Sequence, residues 1–557
     1  MAVASGVGGE APALFLRKAT GLVKGWNRFD AFVYSFLSVN LITLGFFGAL
    51  SFAPFFPDGQ LLPAVLITGV LVTFLVITYA SLIAIMPRAG GDYVWQSRVL
   101  GGGIAFVLAV TGWWFILWHW APIYGNILSV QLFQPVFALL KWHFAVGNTT
   151  IDAAWWGTHT GIFTVSVITV VIAGFLVSLG MEGYAKVQKY CFWGGMIGVG
   201  IMFLILLFGS KSGFQSAFNQ ESAKLFGTSG DVYTKTITES VKFGYSPPGL
   251  KLSPFFGPTL LLIPLLVFYL LWPNWGATLY GEVRGASDFK RVRNGMFWGL
   301  WGTVILTVLF FLLVAKTMGF NFYMAANSNW ANWFYAVQGA PTPVGGIWPY
   351  PPMLVGYYLH STAFSVLFIL VFSLWFFGWA GTLFLSSTRV IFAAAFDRIL
   401  PEWAASVSEK RHVPFGALAL MLVPSIVVSA LYAYNSTFLK ATLDATLVIA
   451  VTFLGSAIAA IILPWRRKTL YENSAIARYK IGGVPLITAA GLITGGFIGW
   501  LLWKWWTNDT YGINNATSRN YMLILYGMAV VIYVIAYLVR RAQGVNFKAI
   551  HAEIPVE

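Results

Sequence analysis

The chain has 557 residues, of which 58% are hydrophobic, 17% aromatic and only 10% charged. Soluble domains carry about 25% charged residues, so a chain this apolar cannot cover its own surface against water, and lipid must solvate much of it. A formal net charge of +15 would suggest nucleic acid in a soluble protein. Here the basic residues sit mainly in short loops between apolar runs, which is a membrane pattern with no nucleic-acid partner.

In chain order, residues 1–28 lack an apolar core flanked by small residues, so they read as a cytoplasmic N-terminal segment rather than a cleavable signal. A spanning helix needs about 20 mostly apolar residues. That ruler finds about twelve spans in one transmembrane domain, 29–540. The first five lie near 29–52, 61–86, 101–134, 158–180 and 184–209. A long outer loop, 210–254, separates them from spans near 255–281 and 295–318. A second outer loop, 319–350, precedes spans near 361–396, 414–434, 441–463, 482–506 and 520–540. Residues 541–557 read as a cytoplasmic tail. The third and eighth spans are long enough to tilt or project. The two outer loops are either a lid over the outer mouth or tolerated surface insertions.

Two spans carry a polar interruption. The first contains Ser38, Val39, Asn40, Thr43 and Gly45. The sixth contains Trp272, Pro273, Asn274, Trp275 and Gly276. Backbone at membrane depth cannot leave N–H and C=O groups unpaired against lipid. A break there implies a cavity lined by protein or water, and two breaks in corresponding positions of two halves predict a solute site between them. Pro273 removes a backbone donor and clashes with the preceding turn, which forces the sixth-span break. Asn40 and Asn274 can each donate and accept through the side-chain amide. The half-helix end near Ser38–Gly45 suits a carboxylate, and freed carbonyls near Trp272–Gly276 suit an ammonium group. Trp272, Trp275, Trp113 and Trp118 are candidates to gate the site or stack on solute.

Basic residues set the orientation. With both ends inside, about 24 of the 34 Lys and Arg fall on the inner side, Arg17 and Lys18 among them. The single cysteine, Cys191, makes no intramolecular disulfide, and no Cys/His cluster has zinc spacing. No cofactor or metal is expected.

Three motifs on the inner side resemble those of amino acid permeases of the amino acid–polyamine–organocation superfamily. The first is Pro87-Arg88-Ala89-Gly90-Gly91-Asp92-Tyr93, followed by Arg98. The second is Gly281-Glu282-Val283-Arg284 after the broken sixth span, then Lys290 to Arg293. The third is Ser387, Arg389, Ala393, Asp397, Leu400 and Pro401, then Pro414. The resemblance covers about residues 29–540. It implies an all-α integral membrane protein with a five-plus-five inverted repeat (LeuT-like) and broken helices 1 and 6. The repeats would be about 29–209 and 255–463, with two extra helices over about 482–540. The first span departs from the family, which usually carries a Gly-x-Gly at the break where this chain has only Gly45. Arg88, Glu282, Arg389 and Asp397 are candidates for an inner salt-bridge gate, against a plain loop-anchoring role.

The expected function is a secondary carrier or exchanger for amino acids at the plasma membrane. Neutral or hydrophobic substrates are favoured because neither break holds an acidic residue. A polyamine or organic-cation carrier of the same fold is the alternative. The coupling ion, H+ or Na+, stays open: span five has Lys186 and Lys189 only at its inner start, and Thr382 alone makes no sodium pattern. His119 is the ionisable residue nearest mid-span, either proton-linked or neutral and bonded to a neighbouring helix. It and His360 are the whole support for a membrane-embedded enzyme, and no nucleophile–base set, metal cluster or carboxylate pair accompanies them. A channel would need pore loops or rings of charge. The oligomeric state is not legible.

Overall fold

A computed structural model describes residues 21–334, 337–341, 346–435, 438 and 442–554. Arg17 and Lys18 of the topology argument lie outside these residues. Among the described residues, twelve helices are long and apolar enough to cross a membrane: spans 1 to 6 are Arg28–Ala49, Leu61–Ile85, Gly102–Leu140, His159–Ser178, Gly180–Phe208 and Gly257–Glu282. Spans 7 to 12 are Phe289–Thr317, Thr362–Phe396, Phe415–Tyr434, Asp444–Arg466, Leu486–Thr507 and Ala516–Ala542. Two short hairpins, Phe144–Val146 with Thr149–Ile151 and Lys480–Ile481 with Val484–Pro485, are the sheet structure among the described residues.

Burial orders the bundle. The most apolar windows of spans 1 and 6 are 94% and 83% buried, whereas that of span 12 is 17% buried. Spans 1 and 6 therefore occupy the centre and span 12 the lipid-facing edge. Both described ends of the chain lie on one side: His412 reaches the Gly21 carbonyl at 2.9 Å, and Arg98 donates to the Glu553 carbonyl at 3.0 Å.

Both predicted breaks are present. Span 1 is α-helical over Arg28–Ser38 and resumes as a π-helix over Leu41–Leu50. Asn27 opens the first half with a capping box to Asp30. Asn40 caps the second half, its Oδ1 accepting from Thr43 N at 2.9 Å, and its carbonyl accepts from Gly45 N, five residues on. Span 6 is α-helical over Ile263–Leu270, opens at Leu271–Asn274, and continues as a 3₁₀ helix over Trp275–Glu282. A 3₁₀ run this long has poorer hydrogen-bond geometry than an α-helix, so packing must hold it.

The two long segments on the side opposite the termini carry structure of their own. The 210–254 stretch forms helices Lys211–Phe226 and Val232–Val241, and the 319–350 stretch forms Phe320–Phe334. The Tyr233 ring stacks on Phe322 at 4.3 Å, and Tyr233 donates to the Met318 carbonyl, tying the two segments together.

Candidate functional site

The breaks expose carbonyls that lipid cannot satisfy, and side chains from distant spans meet them. Ser35 donates to the Pro273 carbonyl at 2.9 Å, so span 1 is stitched directly to the break in span 6. Thr303 donates to the Val39 carbonyl at 2.8 Å and Gln131 to the Thr43 carbonyl at 3.0 Å. Ser386 donates to the Trp275 carbonyl at 2.9 Å and shares a hydrogen bond with the Tyr34 hydroxyl, also at 2.9 Å. The Trp275 indole donates to the Thr382 carbonyl at 3.1 Å, where span 8 bends at Gly381.

Between the breaks lies a small cavity lined by the buried residues Ser38, Leu44, Trp120, Tyr124, Trp272, Trp275 and Trp379. Its volume for a water-sized sphere is about 10 Å³, about what one water needs. The walls are aromatic rings set edge to face or stacked. Trp120 and Trp272 stand 6.0 Å apart at 88°, Trp272 and Trp275 5.3 Å apart at 87°, and Tyr124 stacks on Trp379 at 3.6 Å. No lining side chain is charged. On the side opposite the termini, a vestibule of about 610 Å³ is lined by residues including Phe47, Phe52, Phe268, Tyr432 and Tyr511. Phe268 of the vestibule lining stacks on Trp120 of the cavity lining at 5.6 Å.

Of the residues singled out from sequence, Ser38, Trp272 and Trp275 line the cavity. Asn40 turns its amide oxygen back onto the helix it caps, and its Nδ2 has no hydrogen-bond partner. Val39 and Thr43 contribute carbonyls to the stitching. Gly45 lies against Tyr269, where a Cβ would meet the ring at 3.2 Å, and Gly276 lies as close to Tyr34. Asn274 is fully buried with both amide atoms unpartnered. His119 packs among Phe438, Tyr432 and Tyr521, away from the cavity lining, and neither ring nitrogen has a hydrogen-bond partner. Trp118 and Trp114 both donate to the Leu420 carbonyl, while Trp113 packs its edge on Trp275 at 4.7 Å.

On the side of the termini two buried ion pairs link span 8 to span 6 and to the segment ahead of span 3. Arg389 holds Glu282 through two bonds, Nε to Oε1 at 2.7 Å and Nη2 to Oε2 at 2.9 Å. Arg98 holds Asp397 through two bonds at 2.5 and 2.9 Å, and Tyr93 adds a third at 3.0 Å. Three of the four predicted gate residues are thus in buried pairs, but Arg389 and Asp397 belong to different ones. Arg88 donates to the neighbouring Pro87 carbonyl. Sequence reasoning missed Arg98 as the partner of Asp397, and Trp120, Tyr124 and Trp379 as walls. Trp113, Trp120 and Tyr124 recur at spacings of seven and four, which places them on one helix face; that was the available signal.

Twelve spans with two broken helices stitched together around a small buried cavity define a membrane transport protein. The family model described as amino acid permease matches residues 29–536, and the chain belongs to that family. It is accordingly a multi-pass membrane protein of amino acid transport. A comparison with curated proteins gives no match.

Proposed function

We propose that this permease is a secondary carrier or exchanger that moves neutral or hydrophobic amino acids across the plasma membrane by alternating access, with both termini cytoplasmic. The observation that supports it most is the convergence of both breaks on a cavity with aromatic walls and no charged side chain. Such walls favour an apolar side chain by burial. The positive end of the half-helix beginning at Leu41 and the backbone of Ser38–Gly45 receive the substrate carboxylate. The opened segment Trp272–Gly276 receives the ammonium, and Trp272 and Trp275 move to admit the side chain. Spans 1–5 and 6–10 act as the two inverted repeats, about 29–209 and 255–463. The Arg389–Glu282 and Arg98–Asp397 pairs form the inner gate and part when the site opens toward the cytoplasm.

A second reading follows from the same walls. Tryptophan faces attract cations, so an organic cation with an alkylammonium head also fits this cavity. Uptake of labelled solutes into proteoliposomes tests both. Accumulation of leucine, phenylalanine or alanine supports the first reading. Uptake of choline or putrescine with none of the neutral amino acids selects the second. Chemical turnover of an amino acid without its movement would sink both.

A further inference from the structure

Among the described residues, two buried carboxylates, Asp92 and Asp444, belong to neither the cavity nor the ion pairs, and Asp92 is the one that lies beside the sixth-span break. Asp92 opens the short helix Asp92–Val99, ahead of span 3, and is fully buried. Gly90 and Gly91 put it there. Gly90 N donates to the Thr278 carbonyl at 2.8 Å, and a Cβ on Gly91, at φ +39°, would meet the Ala277 and Thr278 backbone at 2.9 Å. The loop therefore presses flat on the 3₁₀ half of span 6 and carries Asp92 in among spans 2, 3 and 10.

Three neutral groups donate to it. Ser456 and Tyr79 reach Oδ1 at 2.5 and 2.6 Å, and the Trp113 indole reaches Oδ2 at 3.0 Å. These groups, from spans 10, 2 and 3, face the carboxylate, and none carries a charge. From span 6, Asn274 lies next to the Tyr79 hydroxyl, and it too is neutral. On its own helix, Tyr93 and Arg98 are bonded to Asp397, and Arg389 is bonded to Glu282. A buried carboxylate without a cation is costly in its ionised form. Burial pushes its carboxyl up to about 6, with the donated hydrogen bonds pulling the other way. Two of the donors also touch the sixth-span break: Trp113 packs on Trp275, and Tyr79 adjoins the unpartnered amide of Asn274.

We propose that Asp92 is the proton-binding group of this carrier, and that its protonation reverses the hydrogen bonds at the sixth-span break so that proton and amino acid move together. The proposal rests on the carrier reading above. When Asp92 is ionised, the Tyr79 hydrogen is held by the carboxylate and the Tyr79 oxygen can accept from Asn274 Nδ2. A proton taken from water on one side adds to Oδ1. The new O–H donates to the Tyr79 oxygen, and the Tyr79 hydrogen is freed to donate to Asn274 Oδ1. The same proton leaves to water on the other side, and no other bond is made or broken. Trp113 meanwhile loses an anionic acceptor, which loosens the indole that backs Trp275.

The test uses the full chain in phosphatidylethanolamine–phosphatidylglycerol vesicles. Infrared difference spectra between pH 8 and pH 5 should show a carboxylic-acid carbonyl component gained by the wild type and lost in Asp92→Asn, while any component from the buried Asp444 persists in that variant and is lost in Asp444→Asn. A mixture of labelled amino acids, in sodium-free buffer with a one-unit inward proton gradient, should concentrate in wild-type vesicles, with about tenfold as the ceiling for one proton per solute. Uptake by Asp92→Asn should be flat with pH and should not rise above about onefold. Tyr79→Phe should keep the Asp92 component and lose the accumulation. The wild-type measurements stand even where a variant does not fold. Absence of the Asp92 component, accumulation driven by sodium in place of protons, or pH-driven accumulation in Asp92→Asn each overturns the proposal. If the wild type moves no amino acid under any gradient while the Asp92 component still titrates, the carrier reading fails, and the coupling fails with it.

Discussion

The two ends of the central cavity are held by different physics. Toward the termini the closure is ionic and directional: Arg389–Glu282 and Arg98–Asp397 are bidentate pairs at almost zero exposure. Toward the opposite face the packing is aromatic, with Phe268 stacked on Trp120 beneath a vestibule of about 610 Å³. Buried ion pairs are costly to desolvate and costly to break singly, so they make a closure with two discrete states. A stacked aromatic pair adds only about 0.5–1.5 kcal/mol beyond its burial. The conformation described here is thus held by ion pairs on the side of the termini and by ring packing on the other.

Breaking the lock should have the largest effect. Glu282→Ala leaves Arg389 buried and unpaired, and Asp397→Ala does the same to Arg98. Each should cost about 3–5 kcal/mol, read as a large drop in thermal midpoint and loss of uptake. Exchange of the partners, Glu282→Arg with Arg389→Glu, should recover part of it. A next step is Gly91→Ala, whose Cβ meets backbone at 2.9 Å with φ at +39°. Overpacking against backbone of this kind costs about 1–3 kcal/mol, and uptake should fall with the midpoint.

On the aromatic side the effects should be smaller and of another kind. Phe268→Ala thins this packing, so labelling of a cysteine placed at Ser38 by a reagent added to the vestibule side should accelerate, with the midpoint falling less than in Glu282→Ala. The pH dependence supplies a finer test. Asp92 is raised from 3.8 to about 6, so the folded state binds the extra proton between those values. By linkage its contribution to stability is fully present below about pH 4 and is lost as pH rises through about 6. The difference in thermal midpoint between wild type and Asp92→Asn should change with that sign across the window, and a difference constant with pH would argue that the carboxyl does not titrate there. The smallest effect is expected for His119→Phe, which keeps the ring contacts with Phe438 and Tyr521. Uptake and its pH profile should change little, and a lost pH response would make His119 the proton group after all.

Much of the architecture was legible in the chain because lipid imposes a simple rule on it. Spans must be apolar and about 20 residues long, and a backbone break at depth needs polar or proline signals. Pro273 and the Ser38–Asn40 run provided those signals, and the breaks lie at Leu271–Asn274 and Val39–Asn40. The inner motifs were equally legible as clusters of charge, but not their partners. Arg98 and Asp397 are 299 residues apart, and Arg389 and Glu282 are 107 apart. Nothing local dictates which carboxylate each arginine takes.

The same holds for the cavity. With 25 tryptophans in the chain, composition could not tell Trp120 and Trp379, which wall the site, from Trp118, which bonds to the Leu420 carbonyl. The sequence by itself determined that this protein crosses the membrane many times and that two of its helices come apart midway, since hydropathy and backbone hydrogen bonding are local constraints. Only the tertiary structure decided which rings face the gap, which ions lock it and that Asp92 stands behind it without a countercharge. Those outcomes depend on the packing of spans 2, 3, 6, 8 and 10 against one another, and packing is not a local property.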